Sequence, residues 1–340
     1  RKGVPWILPR SLLSPNMPVL PDPDPILSQC PLSENSAVRE MRTEPVTAEE
    51  EYERNPGLKK EDIADLRNWM KSQPHLPIVN DEQLILFHHS CYFNLEATKS
   101  CIEVYYTTRT NTPEFFQNRD LSRPELQKAL EVLQFACLPV KDPNGYQIIF
   151  HRLYQTEPRQ YVFNDGVKLL SMAIDACLQA EGTVPGYIFL FDMKGVRLGH
   201  LTRLSISSIK KFFLYIQEGM PVRLKAIHIL NTQPVIDKIM MLIKPFMKKE
   251  LTQLIHFHRE NEMEAVYKVL PPNCLPKDFG GDQLSCEDLH VDYCQWMQKL
   301  HSHFKIEEEY RVDEKKRLSR KGSRKGSFEP EPDLRTLEID

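Results

Sequence analysis

PVRLKAIHILNTQPVIDKIMMLIKPF, residues 221–246, is the stretch that decides the fold of this chain. Residues 226–230 are almost wholly apolar, which is typical of a buried strand. Asn231 and Pro234 then interrupt the run, because proline disfavours a helical predecessor and fits the first turn of a new helix. Apolar residues follow at helical spacing: Ile236, Ile239, Met240 and Ile243, with Met241 and Leu242 widening the face. A helix this apolar is either buried in the core or laid over an apolar cavity, and these residues alone favour neither.

Strand-like and helix-like segments alternate from about residue 141 onward. The strand-like runs are residues 146–150, 187–191, 226–230 and 254–258. Apolar residues recur at helical spacing between them: Val167, Leu170, Ile174 and Leu178, and then Ile206, Ile209, Phe213 and Ile216. Strands that alternate with crossover helices form right-handed βαβ units. The sequence therefore predicts an α/β fold with a mostly parallel sheet covered by helices.

The rest of the chain divides by composition. Residues 46–135 are predicted to form a small all-α domain, because Thr47 and Glu50 resemble a capping box and apolar residues follow at helical spacing. The sheet-forming domain is placed at residues 136–305. Residues 1–45 hold nine prolines and residues 306–340 are highly charged, so both segments are predicted to be disordered.

Bulk composition narrows the class of protein. A formal net charge of −3 and a pI near 6.5 argue against electrostatic binding to nucleic acid. Eight scattered cysteines without a CxxC pair suit reduced thiols, so a cytoplasmic location is expected. No run of about 18 apolar residues is present, so no spanning helix is expected.

Catalytic and metal-binding motifs are sparse. The sequence has no GxxxxGK[ST], no GxGxxG and no HExxH. His256 and His258 would point to the same side of one strand, and no further ligand is spaced nearby. Asp192 ends a strand, where α/β enzymes often place a catalytic group, but a turn cap before Gly195 is the favoured interpretation. The sequence thus predicts neither an enzyme nor a metal site.

Four motifs in order resemble one family. They are FLFDMKGVRLGHL (189–201), RLKAIHILNTQPVIDKIMMLIKPF (223–246), LIHFH (254–258) and LPKDFGG (275–281). They are similar to the CRAL-TRIO, or Sec14-like, lipid-transfer domains, in the tocopherol-transfer and retinaldehyde-binding branch, and residues 47–115 are similar to the helical domain that precedes them. The resemblance implies an enclosed apolar pocket under a mobile gate helix. It also implies non-covalent carriage of one hydrophobic molecule, such as a tocopherol, a retinoid or a phospholipid, without a cofactor.

The resemblance also assigns pocket positions. They lie on the first crossover helix, the strands, the following helix and the gate: Val167, Leu170, Ile174, Tyr187, Phe189, Phe191, Leu204, Phe212, Tyr215, Ile216, Leu224, Ile227, Ile236, Ile239, Met240 and Ile243. Each is equally compatible with plain core packing, because strand and helix phase are uncertain by a residue.

A phosphoinositide headgroup is bound by basic residues in the tocopherol-transfer branch. This chain keeps Arg223 and Lys225 on the strand before the gate. It departs from the pattern at four positions where basic residues are expected: His89, Cys91, Glu250 and Leu254. Two isolated cations hold a multivalent phosphate poorly, so headgroup binding in the relatives' form is not expected.

The sequence thus predicts a lipid-binding protein that transfers its ligand between membranes or to a partner, through transient contact with a membrane surface. Two alternatives stay open: a regulatory interaction module with a lipid-sensing or degenerate pocket, and an enzyme that uses Asp192. The basic run at residues 315–325 is either a solvated segment or an attachment to anionic membrane that phosphorylation weakens. Neither the ligand nor the oligomeric state follows from the sequence.

Overall fold

The computed structural model describes residues 41–318. The proline-rich run up to residue 40 and the serine-containing basic run from residue 319 lie outside the described residues.

Six helices form the N-terminal region, as the sequence predicted. They are α1 (Ala48–Arg54), α2 (Lys60–Lys71), α3 (Asp81–Ser90), α4 (Leu95–Asn111), α5 (Pro113–Phe116) and α6 (Pro124–Val132). The capping box is present: the Thr47 side chain accepts from the Glu50 backbone, and the Glu50 side chain accepts from the Thr47 backbone. Ile63 and Leu66 on α2 are fully buried. Local capping and one apolar face therefore account for the first helices.

A five-stranded sheet follows, in the order β1-β2-β3-β4-β5. Its strands are β1 (Leu133–Cys137), β2 (Gln147–Leu153), β3 (Tyr187–Asp192), β4 (Leu224–Leu230) and β5 (Ile255–Phe257). The pairs β2–β3, β3–β4 and β4–β5 are parallel, and β1 pairs antiparallel with β2. The predicted α/β class with a mostly parallel sheet is confirmed.

β1 lies where the sequence suggested only helix, and the domain boundary placed between residues 135 and 136 falls inside it. All five of its residues are buried, so it lacks the alternation that signals a strand. It also follows α6 directly, without a turn residue to separate the two. Neighbouring structure, rather than local pattern, makes this segment a strand.

Helices cover both faces of the sheet. They are α7 (Phe163–Glu181), α8 (Leu198–Leu201), α9 (Ile206–Leu214), α10 (Val235–Ile243), α11 (Lys249–Gln253), α12 (Met263–Tyr267), α13 (Cys286–Lys299) and α14 (His301–Glu309). Odd-numbered strand residues such as Ile149 and Phe189 pack into one core with α7 and the N-terminal helices. Even-numbered residues such as Ile148 and Leu190 pack into a second core with Val266 of α12. The alternation of strand side chains thus builds a three-layer arrangement.

The C-terminal end of the described chain is ordered past the predicted boundary. Helix α14 runs across residues 305 and 306. Beyond it, the Arg317 guanidinium contacts Glu103 Oε2 at 2.8 Å and Thr107 Oγ1 at 2.9 Å, both on α4. The Asp313 backbone N–H donates to the His75 carbonyl at 2.9 Å. Arg317, one of the charged residues that suggested a solvated tail, is therefore paired with an N-terminal helix.

A buried charge cluster joins the helical region to α7. Asp175 of α7 accepts from the Arg119 guanidinium at 2.6 Å and also pairs with Arg109. Glu307 of α14 lies 3.2 Å from Arg109. All four side chains are at least nine-tenths buried. The two regions therefore share one core and a common set of ion pairs.

Candidate functional site

An apolar cavity of about 240 Å³ lies beneath α10, at the carboxyl ends of β2 and β3. Its walls come from α7, α8, α9 and α10, together with the ends of the two strands. Ligands of open parallel sheets bind at this edge, because the strand-to-helix loops converge there. The cavity is therefore the candidate functional site.

Seven of the sixteen sequence-predicted pocket residues line this cavity: Val167, Leu170, Phe191, Leu204, Phe212, Ile239 and Ile243. Nine are elsewhere: Ile174, Tyr187, Phe189, Tyr215, Ile216, Leu224, Ile227, Ile236 and Met240. The predicted positions thus lie on the elements around the cavity, but fewer than half of them border it.

The predicted strand residues that do not border the cavity lie on the same face of the sheet as Phe191, but nearer the amino ends of the strands. Phe191 borders the cavity, whereas Phe189 and Tyr187 lie nearer the amino end of β3 and are buried in the core. Leu224 and Ile227 pair in register with Tyr187 and Phe189, so β4 repeats the same displacement. Sequence alternation predicts the face of a strand but not the depth at which a cavity begins.

Helix α10 is attached at both ends and open between them. At its amino end, the Thr232 backbone N–H donates to the His258 carbonyl at 3.0 Å. At its carboxyl end, the Gln217 side chain donates to the Phe246 carbonyl at 3.1 Å and accepts from the Lys248 N–H at 2.6 Å. None of the nine residues of α10 is buried. The helix thus covers the cavity with half-buried side chains, and Leu242 and Ile243 also pack against the core.

The turn into α10 is held by an unusual backbone. Asn231 has φ +52°, a left-handed conformation that asparagine tolerates better than most residues. Its side chain donates to Asp192 Oδ1 at 2.8 Å. The same oxygen accepts from the Lys194 N–H at 2.9 Å. Asp192 therefore caps two turns, which agrees with the turn-cap interpretation and not with a free catalytic carboxylate.

Four polar residues lie among the apolar walls, and the pocket assignment from sequence missed all of them: His151, Tyr161, Asp192 and His200. Burial lowers the pKa of His151 to about 3. Burial also lowers the pKa of His200 and raises that of Tyr161. These three groups are therefore neutral near pH 7. For His151 a signal existed, since it alternates with Ile149 and must share the inner face of β2.

Exposed apolar side chains occur on the helices that wall the cavity or adjoin them. Met241 of α10 is 76% exposed. The others belong to or adjoin the helices that wall the cavity: Val162, Leu198, Ile206 and Leu214. Within residues 41–318, no helix has the length and apolarity needed to cross a bilayer.

The histidines of β4 and β5 form a cluster instead of a metal site. His228 Nδ1 lies 3.0 Å from His258 Nε2, and the His256 ring stacks on His228 at 5.0 Å. Burial, and after it the neighbouring histidines, lower the pKa of His228 to about 4. In the described part of the chain, no group of histidine, cysteine and acidic residues could hold a metal ion.

The two cations of β4 contact aromatic side chains from the helical region. The Arg223 guanidinium lies 4.3 Å from the Tyr92 ring centroid and donates to the His89 carbonyl at 2.7 Å. The Lys225 ammonium donates to the Tyr92 hydroxyl at 3.0 Å. Both side chains are therefore engaged in cation–π contacts and hydrogen bonds in this conformation. The structure places Tyr92 against the side chains that the resemblance assigned to a headgroup.

Two other concavities have a different character. One of about 210 Å³, between the helical region and α7, is lined by the acidic residues Glu51, Glu82, Asp175 and Glu307 among others. The other, of about 650 Å³, is lined mostly by polar and charged residues near Arg119 and Lys299. Neither offers the largely apolar wall found beneath α10.

Comparison with known proteins assigns both regions of the chain. Residues 132–281 match the model of the CRAL/TRIO domain, and residues 55–126 match that of a Pinta-like UBA domain.

Curated relatives share most of the chain. A mouse protein named Alpha-tocopherol transfer protein-like is 29% identical over 272 residues, which cover 79% of this chain and 76% of the mouse protein. The human protein of the same name is 27% identical over 264 residues, 77% of this chain and 74% of that protein. Human Clavesin-2 is 23% identical over 273 residues, 77% and 80% respectively. The motif series and these matches together show that residues 132–281 form a CRAL-TRIO, or Sec14-like, domain.

Proposed function

We propose that this protein binds one small hydrophobic lipid, without a covalent bond, in the cavity beneath α10 and passes it between membranes or to a partner. The observation that carries the proposal is the position of α10. None of the nine residues of α10 is fully buried, hydrogen bonds hold the chain on either side of the helix, and Ile239 and Ile243 border the cavity. The names of the relatives, which include a tocopherol transfer protein-like group, agree with carriage without turnover.

Accommodation of a lipid is proposed to involve movement of α10. The cavity is partly open to solvent, and its volume of about 240 Å³ is below the roughly 300–1,000 Å³ of typical pockets for drug-sized ligands. Outward rotation about the two attached ends would enlarge the cavity without breaking a core helix. Apolar area released from the cavity walls would then meet lipid in place of water. The proposed gate therefore opens at a membrane.

Membrane contact is proposed through the exposed apolar side chains around the cavity. Met241 is the most exposed of them and lies on α10 itself. All seven cysteines within residues 41–318 are free thiols, which suits the expected cytoplasmic location. The proposed encounter is with the cytoplasmic surface of a membrane, and it is transient.

A second candidate function is a lipid-sensing or degenerate module that does not transfer. Five aromatic residues narrow the cavity, which is the observation that favours it: Tyr161, Phe163, Phe191, Phe212 and Phe213. Such a module would retain its tertiary structure but take up no ligand, or keep the ligand it takes up.

Transfer between donor and acceptor vesicles, measured with a fluorescent lipid and the full chain, tests the proposal. Lipid extraction of the purified protein identifies the cargo. We expect Met241→Asp to slow transfer by about tenfold or more, because it places a charge on the proposed membrane-contacting helix. Val269→Asp is the matched control, since Val269 is 49% exposed and lies outside the cavity walls. An empty protein that takes up no lipid would refute carriage, and uptake without transfer would favour the sensing module.

A further inference from the structure

Two cysteines from consecutive helices meet where the helical region approaches β4. Cys91 caps the carboxyl end of α3, and Cys101 lies within α4. The left-handed backbone of Tyr92 and Phe93, with φ of +53° and +61°, turns the chain sharply between these helices. Cys91 therefore packs against the buried cluster that contains Cys101, and the two thiols are joined by a hydrogen bond.

The two sulfurs differ in their access to solvent. Cys91 is partly exposed, whereas Cys101 is buried. A small reagent from solvent therefore reaches Cys91 first, and any product formed on that sulfur lies beside the second thiol.

The surroundings of Cys91 favour its thiolate. The Ser90 hydroxyl lies 3.7 Å from its sulfur, and the Arg223 guanidinium donates to the nearby His89 carbonyl at 2.7 Å. The hydrogen bond from Cys101, helped by these neighbours and opposed by burial, lowers the pKa of the Cys91 thiol to about 7. The thiolate is the form of cysteine that reacts with electrophiles, and it is well populated at neutral pH.

Cys101 keeps its proton. The neighbouring Cys91 sulfur and, after it, burial raise the pKa of the Cys101 thiol well above its usual value. Its Sγ also donates to the Gly219 carbonyl at 3.4 Å, so one thiol proton has two acceptors within reach. An accessible thiolate beside a protonated thiol is the arrangement of a reactive cysteine and its resolving partner.

A second pair of neighbouring thiols shows what distinguishes the first. Cys137 of β1 and Cys177 of α7 also interact, but both are buried. Burial raises the pKa of the Cys177 thiol well above its usual value. Buried protonated thiols are inert, so of these two pairs the first alone combines access with a thiolate.

We propose that Cys91 and Cys101 form a peroxide-reactive pair that closes into a disulfide. The Cys91 thiolate attacks one oxygen of hydrogen peroxide, the O–O bond breaks, and the departing hydroxide takes a proton to become water. Cys101 then attacks the resulting sulfenic acid sulfur, the S–O bond breaks, and a second water leaves with the Cys101 proton. The two thiols lose two electrons in all, and one hydrogen peroxide is reduced to two waters.

The disulfide would form at the junction between the helical region and the strand that leads to α10. Tyr92, directly after Cys91, contacts both Arg223 and Lys225 of β4. Oxidation would tie the turn that carries Tyr92 to α4, and it would remove the thiol donor from the Gly219 carbonyl. The proposal does not depend on lipid carriage.

The test oxidises the full chain. The protein is reduced, freed of reductant and treated with equimolar hydrogen peroxide at neutral pH, and remaining thiols are blocked with N-ethylmaleimide. Trypsin should separate Cys91, in residues 72–99, from Cys101, in residues 100–109, so mass spectrometry without reduction detects their link as a joined peptide pair. We expect this pair to exceed the link between residues 129–141 and 169–194, which hold Cys137 and Cys177, by about tenfold or more.

Variants separate the two roles. Cys101→Ser retains a donor for the Gly219 carbonyl and should stop oxidation at a sulfenic acid on Cys91, which dimedone labels. Cys91→Ser should abolish both the link and the labelling of Cys101. Cys137→Ala is the matched control and should leave the link unchanged. The melting transition of each variant shows whether it is folded.

Reactivity and pH give an independent measurement. Alkylation of Cys91 by iodoacetamide in the native wild type should reach half its maximal rate near pH 7. A folded wild type that forms no link, together with a folded Cys101→Ser protein that dimedone does not label at Cys91, would overturn the proposal. Equal yields of the two disulfides in the native protein would also overturn it.

Discussion

Replacing Ile239 and Ile243 of α10 by alanine tests whether α10 only covers the cavity or is part of the packed core. Both residues line the cavity, and neither is buried. The matched control is Ile174→Ala on α7, where the same side chain is 1% exposed and fully packed. The sequence alone treated all three positions as equivalent pocket residues, so the comparison tests what their surroundings add.

The two sites differ in expected free energy. Ile174→Ala creates a cavity in a packed core and should lower the free energy of unfolding by about 2–5 kcal/mol. Ile239 and Ile243 already border empty volume, so each alanine should cost only about 1 kcal/mol of folding stability. If half of the three carbons removed from each side chain would have contacted the ligand, each substitution weakens ligand binding by about 1.2 kcal/mol. Together that amounts to roughly 50-fold faster ligand release.

Two assays decide the comparison. Urea unfolding measures stability, and transfer of a bound fluorescent lipid to excess vesicles measures release. The double variant should release lipid faster with little loss of stability, and Ile174→Ala should do the reverse. Equal losses of stability in the two proteins, with release unchanged, would show that α10 is ordinary core and would refute the reasoning.

Three further predictions concern stability. Asp175→Asn should lower the free energy of unfolding by about 3–5 kcal/mol in urea titrations, because it leaves the buried Arg109 and Arg119 undercompensated; a loss below 1 kcal/mol would contradict this. Because the pKa of His228 falls from 6.5 to about 4 on folding, its contribution is complete above pH 6.5 and is lost as pH falls toward 4, by up to about 3 kcal/mol. His228→Phe should flatten that slope, and an unchanged slope would count against it. Tyr92→Ala should lower the melting temperature more than Tyr92→Phe, which keeps the ring under both β4 cations; equal shifts would exclude the cation–π contribution.

Much of the fold followed from local patterns in the sequence. The run at residues 187–191 and the apolar spacing of the α7 region predicted a strand and a helix that the structure contains. β1 was not predicted, because its five residues are all buried and no turn residue precedes it. The order of the segment after residue 305 was not predicted, for a different reason. Its charged residues suggested a solvated segment, whereas Arg317 pairs at 2.8 Å with Glu103, which is distant in sequence.

The sequence placed candidate pocket residues on the helices and strands that surround the cavity. Ile239 and Ile243 border it, and they share one face because a helix has a fixed period. Phe189 lies on the same face of β3 as Phe191 but does not border the cavity, since the depth of a cavity depends on how far neighbouring helices extend. The resemblance assigned only apolar residues to the pocket and placed its cations, Arg223 and Lys225, outside it. The polar wall formed by His151 and His200 has no counterpart in that pattern.

The sequence by itself determined the βαβ order, the strand and helix on either side of Asn231, and the excess of apolar residues on α10, because each depends on residues close together in the chain. Only the tertiary structure decided whether α10 is core or cover, since burial depends on what packs against a helix from elsewhere. It also decided that Tyr92 contacts both Arg223 and Lys225, and that His151 and His200 line the same cavity. These pairs are far apart in sequence, and no local pattern encodes the distance between them.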